Sequence, residues 1–311
     1  MESFVKRELI CKDNLLINSG YSLSLSQQRI ILLAILEVRK QKNFDNIEKT
    51  LRIHAQTYIE IFKTDKSTAY KILKESANSL FDAEFKYKYI DQKTGKEFIG
   101  RKRFLNKVAY AEDLGCVEFS ISPDFLELIS RLNRCYTEYD IKRVVNLNSE
   151  YSLRLYEMMM QWKNANQSFC ISLEDLRFVL GVENKYKLMC DFKKRILDFA
   201  IDEINNNTDI MASYKQHKTG RSVTGFTFSF KFKKDAIEGE SKEAKPLKKL
   251  TDKQIFMFSM KLAELQEFQS VFESKSGESY SDFAERIAEE LTEVENVQKW
   301  AKYLEQVGFK C

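Results

Sequence analysis

Apolar residues recur at steps of three and four between residues 185 and 208: Tyr186, Met189, Phe192, Ile196, Phe199, Ala200 and Ile204. That period predicts an α-helix with these side chains on one buried face. The opposite side carries Lys187, Asp191, Lys194 and Asp198, and the basic set Lys185, Lys187, Lys193, Lys194 and Arg195 falls in the first half. An ordinary solvated face reads the same way, so the helix alone decides nothing. Asn205-Asn206-Asn207 ends the pattern. Two alternating, β-like runs follow, Asp209 to Tyr214 and Val223 to Phe232. The basic turn between them holds Lys215, His217, Lys218 and Arg221. A helix followed by a hairpin with a cationic tip is the layout of a winged helix. It offers Lys and Arg from a helix start to base edges and a wing to phosphates.

The first half has the same order of periods. Residues 9–23 read as an extended lead-in. Ser24 to Ser26 offers an N-cap for a helix over Gln27 to Arg39. A short strand at Leu51 to Ile53, a short helix from Thr57 to Phe62 and a turn at Thr64 to Lys66 come next. A second long helix spans Ser67 to Leu80, with Tyr70, Leu73, Ala77 and Leu80 apolar and Lys66, Ser67, Thr68, Lys71 and Lys74 on the other side. Three β-like runs follow: Glu84 to Ile90, Phe98 to Val108 and Cys116 to Ile121. Arg101, Lys102 and Arg103 make the expected cationic hairpin of this half. A helix from Phe125 to Leu132 leads into a polar, linker-like stretch ending at Tyr139-Asp140.

Beyond that stretch the plan repeats: a helix from Ser149 to Trp162, a strand at Phe169 to Ile171, a helix capped by Ser172, then the basic helix and its hairpin. Arg29 precedes Leu73 by 44 residues and Arg154 precedes Ile196 by 42, and Ala follows four residues on in both, at Ala77 and Ala200. Internal duplication is a fold-level signal. The expected fold is α+β: tandem, pseudo-duplicated winged-helix domains over residues 1–135 and 136–234. A polar linker follows at 235–250. A small α-helical extension at 251–311 is expected to hold helices over Thr251 to Leu265, Ser279 to Leu291 and Val294 to Val307.

Charge sharpens the picture. Residues 235–311 hold 11 Lys/Arg against 16 Asp/Glu, net −5, leaving 39 against 30 and a net of +9 for the rest. A basic body with an acidic tail points to a polyanionic partner. There is no apolar run of membrane-spanning length and no signal peptide at the start, so a cytoplasmic location without a membrane partner is expected. Six cysteines lie at 11, 116, 135, 170, 190 and 311 with no C-x-x-C spacing, which argues for reduced thiols and no metal. The only histidines, His54 and His217, are too far apart in sequence to form a closely spaced metal-binding pair. No phosphate loop or G-x-G-x-x-G is present. The expectation is therefore a DNA-binding protein with no enzyme activity, catalytic residue or cofactor.

Specific tracts carry a family resemblance. The segment K-D-N-L-L-I-N-S-G-Y-S-L-S-L-S-Q-Q-R, Lys12 to Arg29, resembles the start of RepB-type plasmid replication initiators, the iteron-binding Rep superfamily. Tyr70 to Ala77 and Tyr186 to Ile204 resemble the recognition-like helices of that family's two winged-helix domains. The helices from Leu250 onward look like an extension found in some plasmid initiators. The resemblance implies binding of double-stranded DNA at directly repeated origin sequences (iterons) and opening of a neighbouring A·T-rich segment. It also implies recruitment of the host initiator and replicative helicase, and autorepression by a self-dimer at an inverted-repeat operator. A winged-helix transcriptional regulator without a replication role is the alternative.

Overall fold

The computed structural model describes residues 8–40, 50–130, 136–165, 167–233, 252–269, 272, 278–292, 296–297 and 300–307. The chain forms two compact units, residues 1–237 and 238–311. The expected linker at 235–250, Cys135 and Cys311 lie outside the described residues.

In the first unit, β1 (Leu9–Asp13) and a one-turn helix α1 (Asn14–Ile17) replace the expected extended lead-in. α2 (Leu25–Lys40) opens on a reciprocal capping box. The Ser24 N–H donates to Gln27 Oε1 at 2.7 Å, and the Gln27 N–H donates to Ser24 Oγ at 3.3 Å. β2 (Thr50–His54), α3 (Ala55–Phe62) and α4 (Lys66–Asp82) follow. The Asp65 side chain caps α4 by accepting the Ser67 N–H at 2.8 Å.

The next segment departs from the expectation. The run Phe98 to Val108 is not one strand. β3 (Glu84–Ile90) and β4 (Glu97–Arg103) form a separate two-stranded hairpin. β5 (Leu105–Ala111) then pairs with β6 (Cys116–Ile121) in a different sheet, of order β2-β6-β5. The break falls at Phe104, fully buried against Tyr21, Phe85 and Phe125. The wing following α4 in this sheet is therefore β5–β6. Arg101, Lys102 and Arg103 sit on an inserted hairpin.

α5 (Pro123–Ser130) leads toward β7 (Tyr136–Asp140). The described end of the stretch expected to be linker-like, Tyr136–Asp140, is thus a strand. It pairs antiparallel with β1, Leu9 opposite Asp140 and Asp13 opposite Tyr136.

The second half repeats the sheet of the first. α6 (Glu150–Met160), capped by Ser149, is followed by β8 (Ser168–Ser172) and α7 (Leu173–Val179). A long helical run, α8, is built from Met189–Phe192, Lys193–Asp198 and Phe199–Asn207. β9 (Ile210–Thr219) and β10 (Ser222–Phe232) close the sheet in the order β8-β10-β9. In both modules the last strand lies between the first strand and the wing's outer strand. The buried apolar side chains of both form one continuous core, from Ile10 to Phe230.

Buried charge joins the two halves. Glu157, with no exposure, accepts from Lys12 Nζ at 2.6 Å and from the Tyr139 hydroxyl at 2.6 Å. Arg154 is 2% exposed. It donates to the carbonyls of Ile17 (2.9 Å), Ser19 (2.9 Å) and Val179 (3.2 Å) and to the Tyr21 hydroxyl, over whose ring it lies. Its counterpart Arg29 reaches the other way, to the carbonyls of Leu147 at 3.1 Å and Val145 at 3.5 Å. The two arginines that mark the repeat in the sequence thus tie each module's first helix to backbone from the other half.

The second unit holds α9 (Asp252–Glu264), α10 (Gln266–Gln269), α11 (Tyr280–Glu290) and α12 (Ala301–Gln306). Its core is its own: Phe258, Leu262, Phe268, Phe283, Ile287, Leu291, Trp300 and Leu304 are buried together. Arg286 pairs with Glu278 at 2.8 Å beside the Phe272 ring.

Candidate nucleic-acid interface

The approach to α8 differs from the sequence expectation. Gly181 ends α7 with φ +64°, and a Cβ there would lie 2.5 Å from the Tyr21 carbonyl oxygen, so only glycine fits. The chain then stays non-helical through Leu188, with Tyr186 at φ +51°. Lys185 and Lys187, expected on the helix, are exposed residues of this loop. Arg177 holds the loop in place. Its guanidinium donates to the carbonyls of Lys185 and Tyr186 at 2.8 Å each and lies 4.5 Å from the Phe192 ring centre. Partial burial lowers its pKa. A basic residue in the short helix before α8 was visible in the sequence, but its backbone partners were not.

The N-cap of α8 is Leu188, whose side chain supplies no capping bond. The N-cap side chain therefore gives the first N–H groups of α8 no acceptor, and Asp191 places a carboxylate in that first turn. α4 is the contrast. Its start is closed by the exposed Asp65 carboxylate, which accepts from the N–H and hydroxyl of Ser67, and these bonds hold its pKa below the usual carboxylate value. Thr68 Oγ1 is bonded to the Asp65 carbonyl at 3.2 Å.

Along α8, Lys194 is exposed and has no ion pair among the described residues. Arg195 lies 3.8 Å from Asp191. Lys193 turns toward the wing, donating to Gln216 Oε1 at 3.3 Å beside the Tyr214 ring. The Tyr214 hydroxyl donates to Asp198, so helix and wing are pinned at two places. Burial and that bond raise the Tyr214 pKa well above the ordinary phenol value.

The wing is longer than expected. Lys215 to Thr219 belong to strand β9, and the turn itself is Gly220-Arg221. Lys215, Lys218 and Arg221 are exposed without ion pairs among the described residues. His217 is half-buried, its Nε2 2.7 Å from Thr227 Oγ1.

The basic residues expected at the first module's interface are placed differently. Lys66 is exposed, Lys71 is 4.0 Å from Glu75, and Lys74 pairs with Glu112 at 2.7 Å. That carboxylate raises the Lys74 pKa. Glu112 and Asp113 occupy the tip of the β5–β6 wing. On the inserted hairpin, Arg101 pairs with Glu84, Lys102 with Asp124 at 2.7 Å, and Arg103 donates to the Phe81 carbonyl at 3.0 Å. The hairpin also reaches the second module through Lys86–Glu183 at 3.2 Å and Lys88–Asp175 at 2.8 Å.

Phe199, like Tyr186, is not where the sequence period puts it. It is 53% exposed, not on the apolar face. Among the described residues no three His, Cys, Asp or Glu side chains gather as a metal site, and no helix is long and apolar enough to cross a membrane.

Comparison with known proteins agrees with this architecture. The family profile described as "Initiator Replication protein, WH1" matches residues 9–160, and "Initiator Rep protein, WH2" matches residues 172–230. An uncharacterized 27.6 kDa protein of Escherichia coli is 24% identical over 242 residues, 75% of this chain and 98% of its own. A solved structure of the Pi initiator protein in complex with iteron DNA superposes with a TM-score of 0.61 at 22% identity. The match covers 74% of this chain and 99% of that one. With the two profiles together spanning most of the first unit, and the same tandem winged-helix fold in that relative, the chain belongs to the initiator replication (Rep) protein family.

Proposed function

We propose that this protein initiates plasmid replication by binding directly repeated origin sequences, with the second winged helix as the lead reader. One observation carries the assignment, the opposite electrostatics of the two modules. In the second, the helix start lacks an N-cap side-chain bond and its one first-turn carboxylate, Asp191, lies beside Arg195, and exposed Lys194 and a wing bearing Lys215, Lys218 and Arg221 follow. In the first, Asp65 closes the helix start and Glu112 and Asp113 stand on the wing. A surface of the first kind attracts phosphates and a surface of the second kind repels them. The α8 start enters the major groove, the β9–β10 wing follows the backbone, and the first module adds weaker contacts through Lys66 and Lys71. The complex of the Pi relative with iteron DNA supports duplex repeats as the ligand.

The cell-level role follows from repeated occupancy. Several copies bound side by side on the repeats supply the energy that opens an adjoining A·T-rich segment. The host initiator and helicase are then recruited, and a dimer bound at an inverted repeat represses the protein's own promoter in the cytoplasm. Residues 251–311 form an accessory helical module.

The test is a titration of the full chain on the repeats flanking its gene and on random duplex. The repeats should bind more tightly, with log affinity falling by about 0.9 per phosphate contact against log salt. Paired removal of Lys66 and Lys71 should cost less than paired removal of Lys218 and Arg221. Equal affinity for both DNAs, or a flat salt dependence, overturns the function.

A further inference from the structure

Phe199 occupies a position that an ordinary helix would bury. At 3.6 residues per turn, residue 199 lies seven positions, nearly two full turns, after Phe192 and shares its face. The buried positions of α8 instead run Phe192, Ile196 with Leu197, Ala200, and Glu203 with Ile204, and pass over residue 199. The cause is the wide, π-type turn over Lys193–Asp198. It inserts about one extra residue, roughly 100° of rotation, before the helix resumes. Ala200 takes the core place, and Phe199 turns out to 53% exposure.

The ring does not stand on a neutral surface. It follows exposed Lys194 and Arg195 along the outward side of α8 and precedes exposed Asp202. The neighbouring Asp198 carboxylate is held toward the wing by Tyr214. The helix therefore presents an apolar group on the side that carries its exposed cations. In the major groove the base edges offer one apolar feature, the C5-methyl of thymine.

We propose that Phe199 is a specificity-determining residue that packs on a thymine methyl in the bound repeat. The inference rests on α8 being the reading helix. Lys194 and Arg195 set the approach by charge. Phe199, one turn further along, rejects cytosine, which lacks the methyl and presents a donor instead.

The experiment uses the full chain and a duplex selected by it from a random-sequence pool. Each thymine is replaced singly by deoxyuridine, which removes only the methyl. At one fixed salt concentration, at least one replacement should weaken wild-type binding about fourfold. That is the value of one buried methyl, about 0.8 kcal/mol, at 1.4 kcal/mol per tenfold. Phe199→Ala should weaken the unmodified duplex by a similar factor and be indifferent to that same replacement, whereas Phe199→Leu should stay sensitive. Neither variant should lower the melting temperature, since the ring is outside the core. Lys194→Ala on the same duplex separates the two claims. If it lowers the selected-to-random ratio while Phe199→Ala remains as uracil-sensitive as wild type, the role of Phe199 is overturned and the reading helix stands. If Lys194→Ala leaves the ratio unchanged, α8 is not the reader and the proposal falls with it.

Discussion

Replacing Glu157 by Gln removes one negative charge from a site that holds two cations. Glu157 has no solvent exposure, and Lys12 and Arg154 are each 2% exposed. The carboxylate accepts two bonds of 2.6 Å and lies 3.5 Å from the Arg154 guanidinium. Glutamine can still accept a bond from Tyr139 or Lys12, but it cannot neutralise either cation. Breaking a buried ion pair on one side costs about 3–5 kcal/mol, because the remaining charge is left in a low-dielectric interior. Against a typical total of about 5–15 kcal/mol this is a large fraction. Urea unfolding followed by Trp162 fluorescence, in a Trp300→Phe background that silences the second unit, reads the first unit alone. A second signature is pH. Burial already lowers the Lys12 pKa below its ordinary value, with Arg154 acting in the same direction and Glu157 opposing them. A lowered folded pKa means the folded state holds that proton less tightly than the unfolded chain. The unfavourable contribution is therefore full below the folded pKa and fades as pH rises through it toward the unfolded value of about 10.4. Removing Glu157 lowers that pKa further, so the variant's deficit should shrink from neutral pH to about pH 10. A loss under about 1 kcal/mol at neutral pH, a third of the smallest value expected, would refute the claim that this network holds the two halves together.

Thiol labelling should sort the described cysteines by position. Cys170 and Cys190 are exposed and should alkylate readily, while Cys116 is buried and Cys11 is held unreactive by burial and Glu138, which push its thiol up to about 12. Origin-repeat DNA should protect Cys190, in the first turn of α8, but not Cys170 on β8, and peptide mass spectrometry after labelling reads both. Gly181→Ala forces a side chain into the left-handed region against the Tyr21 carbonyl. It should cost about 1–3 kcal/mol in denaturant unfolding; a neutral result would mean the loop before α8 re-forms another way.

Much of the fold is written locally. The Ser24–Gln27 capping box, the Ser149 and Ser172 caps and the three-and-four periods of α2, α4 and α6 are short-range signals, and the helices lie where those signals put them. The repeat was legible because Arg29 and Arg154 keep equivalent places ahead of equivalent helices. What was not legible depends on distant pairing. Tyr136–Asp140 is polar and loop-like until Leu9–Asp13 supplies a partner strand. Two consecutive hairpins look alike in sequence, and only the pairing of β6 with β2 makes β5–β6 the wing. Nothing near Lys12 in the sequence marks it as buried, because its partner Glu157, which accepts its hydrogen bond, lies far along the chain. The wide turn in α8 carries no composition signal, so period counting put Phe199 in the core.

The central claim is that α8 reads sequence while the β9–β10 wing grips the backbone. A binding titration at two salt concentrations, on the origin repeat and on random duplex, tests it most directly. Lys194→Ala should cost about 1–3 kcal/mol on the repeat and little on random DNA. Lys218→Ala combined with Arg221→Ala should weaken both DNAs nearly equally and reduce the salt slope by about two contacts. A repeat-to-random ratio that Lys194→Ala leaves unchanged would contradict the account, even if the protein still binds DNA.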